Sequence, residues 1–142
     1  MQEYCRFISQ FEDATLPREQ FNHIGHLKLA WLYLSFYEYS EAVAKVTTGI
    51  EKYATRLGAK EKFNCTLTVA IVNIIADRYR KNPDNDFHCF LSQNPDLQTK
   101  MLDIVTKYYS AERLHSKQAK KQFICPDKQQ LPYCTPMMTD EL

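Results

Sequence analysis

The sequence predicts an all-α fold: one bundle-like helical domain of about five to seven helices over residues 1–125, with 126–142 as an extended or disordered tail. Three observations predict it. Apolar residues recur at spacings of three and four along most of the chain, the period of one helix face. Only 3 glycines occur in 142 residues, too few for a fold built on strands and tight turns. The periodic segments are also punctuated by residues that start and stop helices, among them Pro17, Ser40, Gly58, Asn94 and Ser110.

Taken in order, Tyr4, Phe7, Ile8 and Phe11 predict a short helix over residues 2–11. Pro17 suits a first helical position and Glu19 a first turn, so a second helix is expected from there to about Tyr37. Ser40 is the expected N-cap of a third, running through Leu57 and stopped by Gly58. A long helix from Lys60 or Phe63 to Arg80 is nearly all apolar between Leu67 and Ala76, interrupted by Asn73, the pattern of a helix sunk in a core. Asp84 to Asp86 would cap a short helix ending near Phe90. Asn94-Pro95-Asp96 would open one through Tyr109, and Ser110 would cap a last one reaching Phe123. Beyond Cys125-Pro126 the chain has further prolines and no helical period.

Composition bounds the function. Hydrophobic residues at 44% and charged residues at 25% are ordinary for a globular chain of one-domain length. A formal net charge of +1 gives no global attraction to nucleic acid or to a membrane surface. The three lysines of Lys117 to Phe123 read as a solvated helix face, because no aromatic is interleaved among them. No apolar stretch approaches the length of a membrane span. Five cysteines, an odd number without a CxxC pair, and an N-terminus without a leader pattern predict reduced thiols in a cytoplasmic protein.

The unusual feature is FNHIGHLKLAWLYL, which sets His23 and His26 in an oily helix. Residues three apart on an α-helix lie about 60° from each other around the axis. The two imidazoles therefore share a sector, with Leu27, Ala30 and Leu34, while Lys28 and Ser35 fall nearly opposite. That sector fits two half-buried core histidines, and it also fits two ligands of one metal ion. A catalytic zinc takes three protein ligands and a water, so a third would come from Cys65, Asn64, His88, His115, Glu19 or Asp77. Asn64 and Thr68 stand four apart on one face. If that face met His23 and His26, the four would form the polar end of an apolar pocket; otherwise Asn64 is a cap and Thr68 a back-bonded hydroxyl. Cys65 is a soft ligand, a nucleophile or simple packing. His88 and Cys89 diverge too far to share an ion, and Trp31, Tyr33, Tyr37 and Tyr39 read as packing with hydroxyls reaching the rim.

FNHIGHLKLAWLYL, KFNCTLT, NPDL, KYYS and PDKQQLP together resemble a family of small, mostly uncharacterised all-helical bacterial proteins. Its pattern reads F-x-H-x-x-H-L-x-L-A-W-x-Y-L, then Y-H-x-T-x-T, a Y-Y-S segment and a final L-P. The resemblance covers roughly Leu16 to Pro132 and implies a three-histidine cluster. Here Phe63 stands for the tyrosine and Asn64 for the third histidine, while Thr66 and Thr68 match. An amide oxygen is a much weaker transition-metal ligand than imidazole.

Three functions are consistent with these residues. The first is a pocket around His23, His26, Asn64 and Thr68 for a small ligand or for one transition metal ion (zinc, iron, manganese or nickel), with Cys65 as the third ligand. The second is a metal-dependent enzyme whose bound water attacks the substrate. The third is a protein–protein interaction module that works through an aromatic patch or the tail. The pocket accounts for the most residues.

Overall fold

A computed structural model of the chain describes residues 2–83 and 86–133. It is all-α: nine α-helices and no strand occur among the described residues. Its contacts sort the chain into two compact units, Met1–Phe63 and Asn64–Leu142, whereas the sequence predicts one helical domain over 1–125.

The first unit holds α1 (Gln2–Glu12), α2 (His23–Phe36) and α3 (Tyr39–Arg56). Pro17 does not open α2 as expected. It precedes a single 3₁₀ turn, Arg18–Gln20, and the cap of α2 is Asn22, whose side-chain oxygen accepts the Gly25 N–H at 2.9 Å. A Cβ on Gly25 would lie 2.3 Å from the Gln20 carbonyl, so glycine lets the turn lie directly on the first coil of α2. Ser40 is not the cap of α3 either; Glu38 holds that place without a side-chain bond. The core is aromatic. Phe11 sits 5.4 Å from Phe21, 6.5 Å from Tyr33 and 6.1 Å from Tyr53, centroid to centroid. Burying one such ring stabilises by about 1.5–3 kcal/mol. Gly49 on α3 makes the room: a Cβ there would meet the Phe11 ring at 2.4 Å. The buried Tyr53 hydroxyl donates to the Leu16 carbonyl at 2.6 Å, tying α3 to the loop after α1.

The second unit is built on α4 (Cys65–Lys81), followed by α5 (Phe87–Gln93), α6 (Pro95–Thr99), α7 (Met101–Val105), α8 (Ala111–Leu114) and α9 (Lys117–Lys121). Asn64 caps α4 and Asp86 caps α5; residues 84 and 85 lie outside the described ones. Two helices expected to be continuous are broken. The stretch opened by Pro95 stops at Thr99 and restarts at Met101, and Ser116 supplies a second cap that divides α8 from α9. Arg78 joins α4 to the start of α6 through two parallel bonds to Asp96, at 2.8 and 2.9 Å, and a third to Asn94.

Residues 122–133 run without helix, yet the polar groups of α4 and its neighbours hold them down. Thr66 donates to the Gln122 carbonyl at 2.8 Å and accepts the Ile124 N–H at 3.1 Å. Tyr109 donates to the Ile124 carbonyl at 2.6 Å, and Arg113 to that of Cys125 at 2.6 Å. Ile124 and Leu131 are buried. Of the tail predicted from 126, this first part is a fastened strap; residues 134–142 lie outside the described ones.

Candidate functional site

Asn22 holds His26 in place. Its carbonyl accepts both the backbone N–H of His26, at 3.0 Å, and the ring Nδ1–H of the same residue, at 2.8 Å. That bond fixes the neutral tautomer with its lone pair on Nε2. The His26 ring stacks on Phe21 with centroids 4.0 Å apart and planes inclined by 22°. His26 is half-buried, and burial depresses its pKa below 6.5; the Asn22 bond opposes this, and nearby His23 lowers it further. His23, the first residue of α2, is exposed.

The other predicted site residues lie in the second unit. Asn64 is buried: its oxygen accepts the Leu67 N–H at 3.0 Å and its amide donates to the Leu114 carbonyl at 2.9 Å. Thr68 donates back to the Asn64 carbonyl at 2.9 Å, the bond of an ordinary helical threonine. Cys65, the first residue of α4, is half-buried. Among the described residues, no group of three or more His, Cys, Asp and Glu side chains comes together to hold a metal ion. His88 and His115 are exposed, and Asp77 is buried in ion pairs with Arg80 and Lys81.

A pocket exists elsewhere. Between α1 and α2 lies a cavity of about 290 Å³, walled by Tyr4, Tyr33, Phe36 and Tyr37. Glu12 and Asp13 stand at its acidic end, and Cys5, Ile8 and Ser9 complete the α1 side. Neither His23 nor His26 lines it. The Tyr33 hydroxyl donates to Glu12 Oε2 at 2.7 Å. Burial raises the Tyr33 pKa well above the ordinary phenol value, and the hydrogen bond and charge of Glu12 raise it further. Phe36 and Tyr37 are 56% and 38% exposed, and Cys5, Ser9, Glu12 and Asp13 are exposed too, so the cleft opens to water along both the aromatic and the acidic side.

Of these residues the sequence marks only Tyr33 and Tyr37, as rings with hydroxyls near a rim. Glu12 and Asp13 pass unnoticed because an acidic pair at the end of a helix usually faces solvent. Their signal is the position directly after Phe11: the core ring anchors that end of α1 beside Tyr33.

The chain matches no family model, no curated protein and no solved structure. Its family resemblance rests on the sequence motifs alone.

Proposed function

We propose that the chain is a non-catalytic binding module whose first unit takes a small organic ligand in the α1–α2 pocket. One observation carries this reading: four aromatic side chains and a few polar groups line one open cleft, the make-up of small-molecule sites, with a volume near their lower bound of about 300 Å³. The buried phenol supports binding over proton transfer. Tyr33 holds its proton far above neutrality and has already committed it to Glu12. The odd cysteine count fits a reducing compartment such as the cytoplasm, and no helix among the described residues is long and apolar enough to cross a membrane.

The test is a ligand-observed NMR screen of small organic fragments against the full chain. Hits should vanish in Ser9→Phe, which fills the α1 side, and persist in Thr68→Val. An empty screen, or hits indifferent to Ser9→Phe, would sink the reading.

A second reading keeps His23 and His26 as metal ligands, favoured by the tautomer that Asn22 imposes on His26. A neutral ring with a lone pair on Nε2 is what an ion binds, and a carbonyl on the other nitrogen is its usual support. Elemental analysis of tag-free protein, wild type beside His23→Ala/His26→Ala, decides it. Near-stoichiometric metal lost in the double variant supports the site; none in either removes it.

A further inference from the structure

Resting on the pocket reading above, we propose that the ligand of the α1–α2 pocket is a small primary ammonium compound, a positively charged amine on a short apolar stem. Charge complementarity selects it. Two carboxylates, Glu12 and Asp13, line the cavity, and among the described residues no lysine or arginine does. The phenol of Tyr33 fixes one oxygen of Glu12, which orients that carboxylate and leaves its second oxygen to accept from an ammonium N–H. Asp13 and the Ser9 hydroxyl offer further acceptors on the same side. A primary ammonium has three N–H donors and no acceptor, so it satisfies these groups where an alcohol or carboxylate leaves acceptors unmatched.

The rings make the same selection. Aromatic faces attract cations through the ring quadrupole. The chain's own lysines already respond to this surface: Lys28 Nζ lies 5.4 Å from the Tyr4 centroid, and Lys45 Nζ lies 4.8 Å from that of Tyr37. Lys52 Nζ donates to the Glu12 backbone carbonyl at 2.9 Å. None of the three lines the cavity, so a cation from outside would be the one to share its lining with the carboxylates. The exposed Phe36 and Tyr37 rings at the mouth would cover the apolar stem.

The experiment titrates ¹⁵N-labelled full chain with 2-phenylethylammonium, its neutral isostere 2-phenylethanol and the anion 3-phenylpropionate, following amide shifts of α1 and α2. The ammonium should bind about tenfold more tightly than the alcohol, with no binding of the anion. Glu12→Gln/Asp13→Asn keeps an acceptor for Tyr33 and should remove the preference for the ammonium over the alcohol. Amide shifts that match wild type away from the substituted positions show that the variant is folded. Alcohol or anion binding as tightly as the ammonium would overturn the proposal while leaving the pocket reading standing. Shifts outside the pocket, or none with the ammonium at millimolar concentration, would overturn it too, and the fragment screen with Ser9→Phe then decides separately whether the pocket binds anything.

Discussion

Ala14 and Gly58 hold the same position in two copies of one helix-ending turn. After α1, the Ala14 N–H donates to the Phe11 carbonyl at 3.0 Å and the Thr15 N–H to that of Gln10 at 2.8 Å. After α3, Gly58 donates to Thr55 at 3.1 Å and Ala59 to Ala54 at 2.8 Å, the same offsets. Both residues are left-handed, with φ of 59° at Ala14 and 73° at Gly58. This is the Schellman ending, in which glycine avoids the clash a Cβ brings in that region. Gly58 has nothing within 4 Å of an added Cβ, so the backbone alone sets the cost of filling it. Mirrored substitutions should therefore move stability in opposite directions. Gly58→Ala should lower it and Ala14→Gly should raise it, each by about 1 kcal/mol or about 2–4 °C in Tm. Thermal or urea unfolding of the two variants checks the signs; equal signs would refute the shared strain.

A second prediction concerns the strap. The Asn73 amide donates to the Tyr133 carbonyl and its oxygen accepts the Tyr133 N–H, both at 2.9 Å, as one strand residue pairs with another. Thr66 does the same work at Ile124, whose backbone is buried. Thr66→Val keeps the shape and removes the acceptor, at a cost of about 1–3 kcal/mol for the orphaned N–H. Hydrogen exchange at Ile124 should quicken in Thr66→Val and at Tyr133 in Asn73→Leu. Unchanged protection in both would mean that apolar burial of Ile124 and Leu131 alone holds the strap.

The strap also shows where the sequence was legible and where it was not. The helices and several caps follow from local chemistry: Asn64, Asp86 and Ser110 each accept the N–H three residues on. Pro17 and Ser40 carried equally good local signals and lost: Asn22 starts α2 later than Pro17 would, and the extended backbone at Glu38 starts α3 earlier than Ser40 would. Asn73 reads as an interruption of an apolar helix, and Thr66 only as a match to the family pattern. Their partners lie about 60 residues away in sequence, at Tyr133 and Ile124, and no spacing rule reaches that far. The α1–α2 pocket was hidden for the same reason, since Glu12 and Tyr33 meet only through the fold.

Acid should act at Asp96, the partner of Arg78. The Asp96 carboxyl is held below its ordinary 3.8 chiefly by the hydrogen bond from Arg78, with burial opposing. Its folded-state value is the lower one, so its contribution is complete above 3.8 and disappears as pH falls through the folded value. The two side chains are 25% and 42% exposed, so solvent screens the pair and it contributes about 0.5–1 kcal/mol. Asp96→Asn should flatten the stability profile below pH 4 and reduce its salt dependence. A profile identical to wild type would place the acid sensitivity elsewhere.

At His26 the pH window is different. Burial lowers its folded-state pKa beneath 6.5, so between the two values the unfolded chain holds a proton that the folded chain refuses. Stability is then complete above pH 6.5 and declines as pH falls through the folded value. His26→Phe keeps a ring on Phe21, loses the bond to Asn22, and cannot titrate. It should begin less stable by about 1 kcal/mol at pH 7.5, the worth of one hydrogen bond. It should also lose less on going to pH 5.5, so that the gap to wild type narrows. Urea unfolding at the two pH values measures it. A gap that widens towards pH 5.5 would show that the folded state favours the charged ring, which would contradict both the buried stacking and the lone-pair Nε2 on which a metal at this histidine depends.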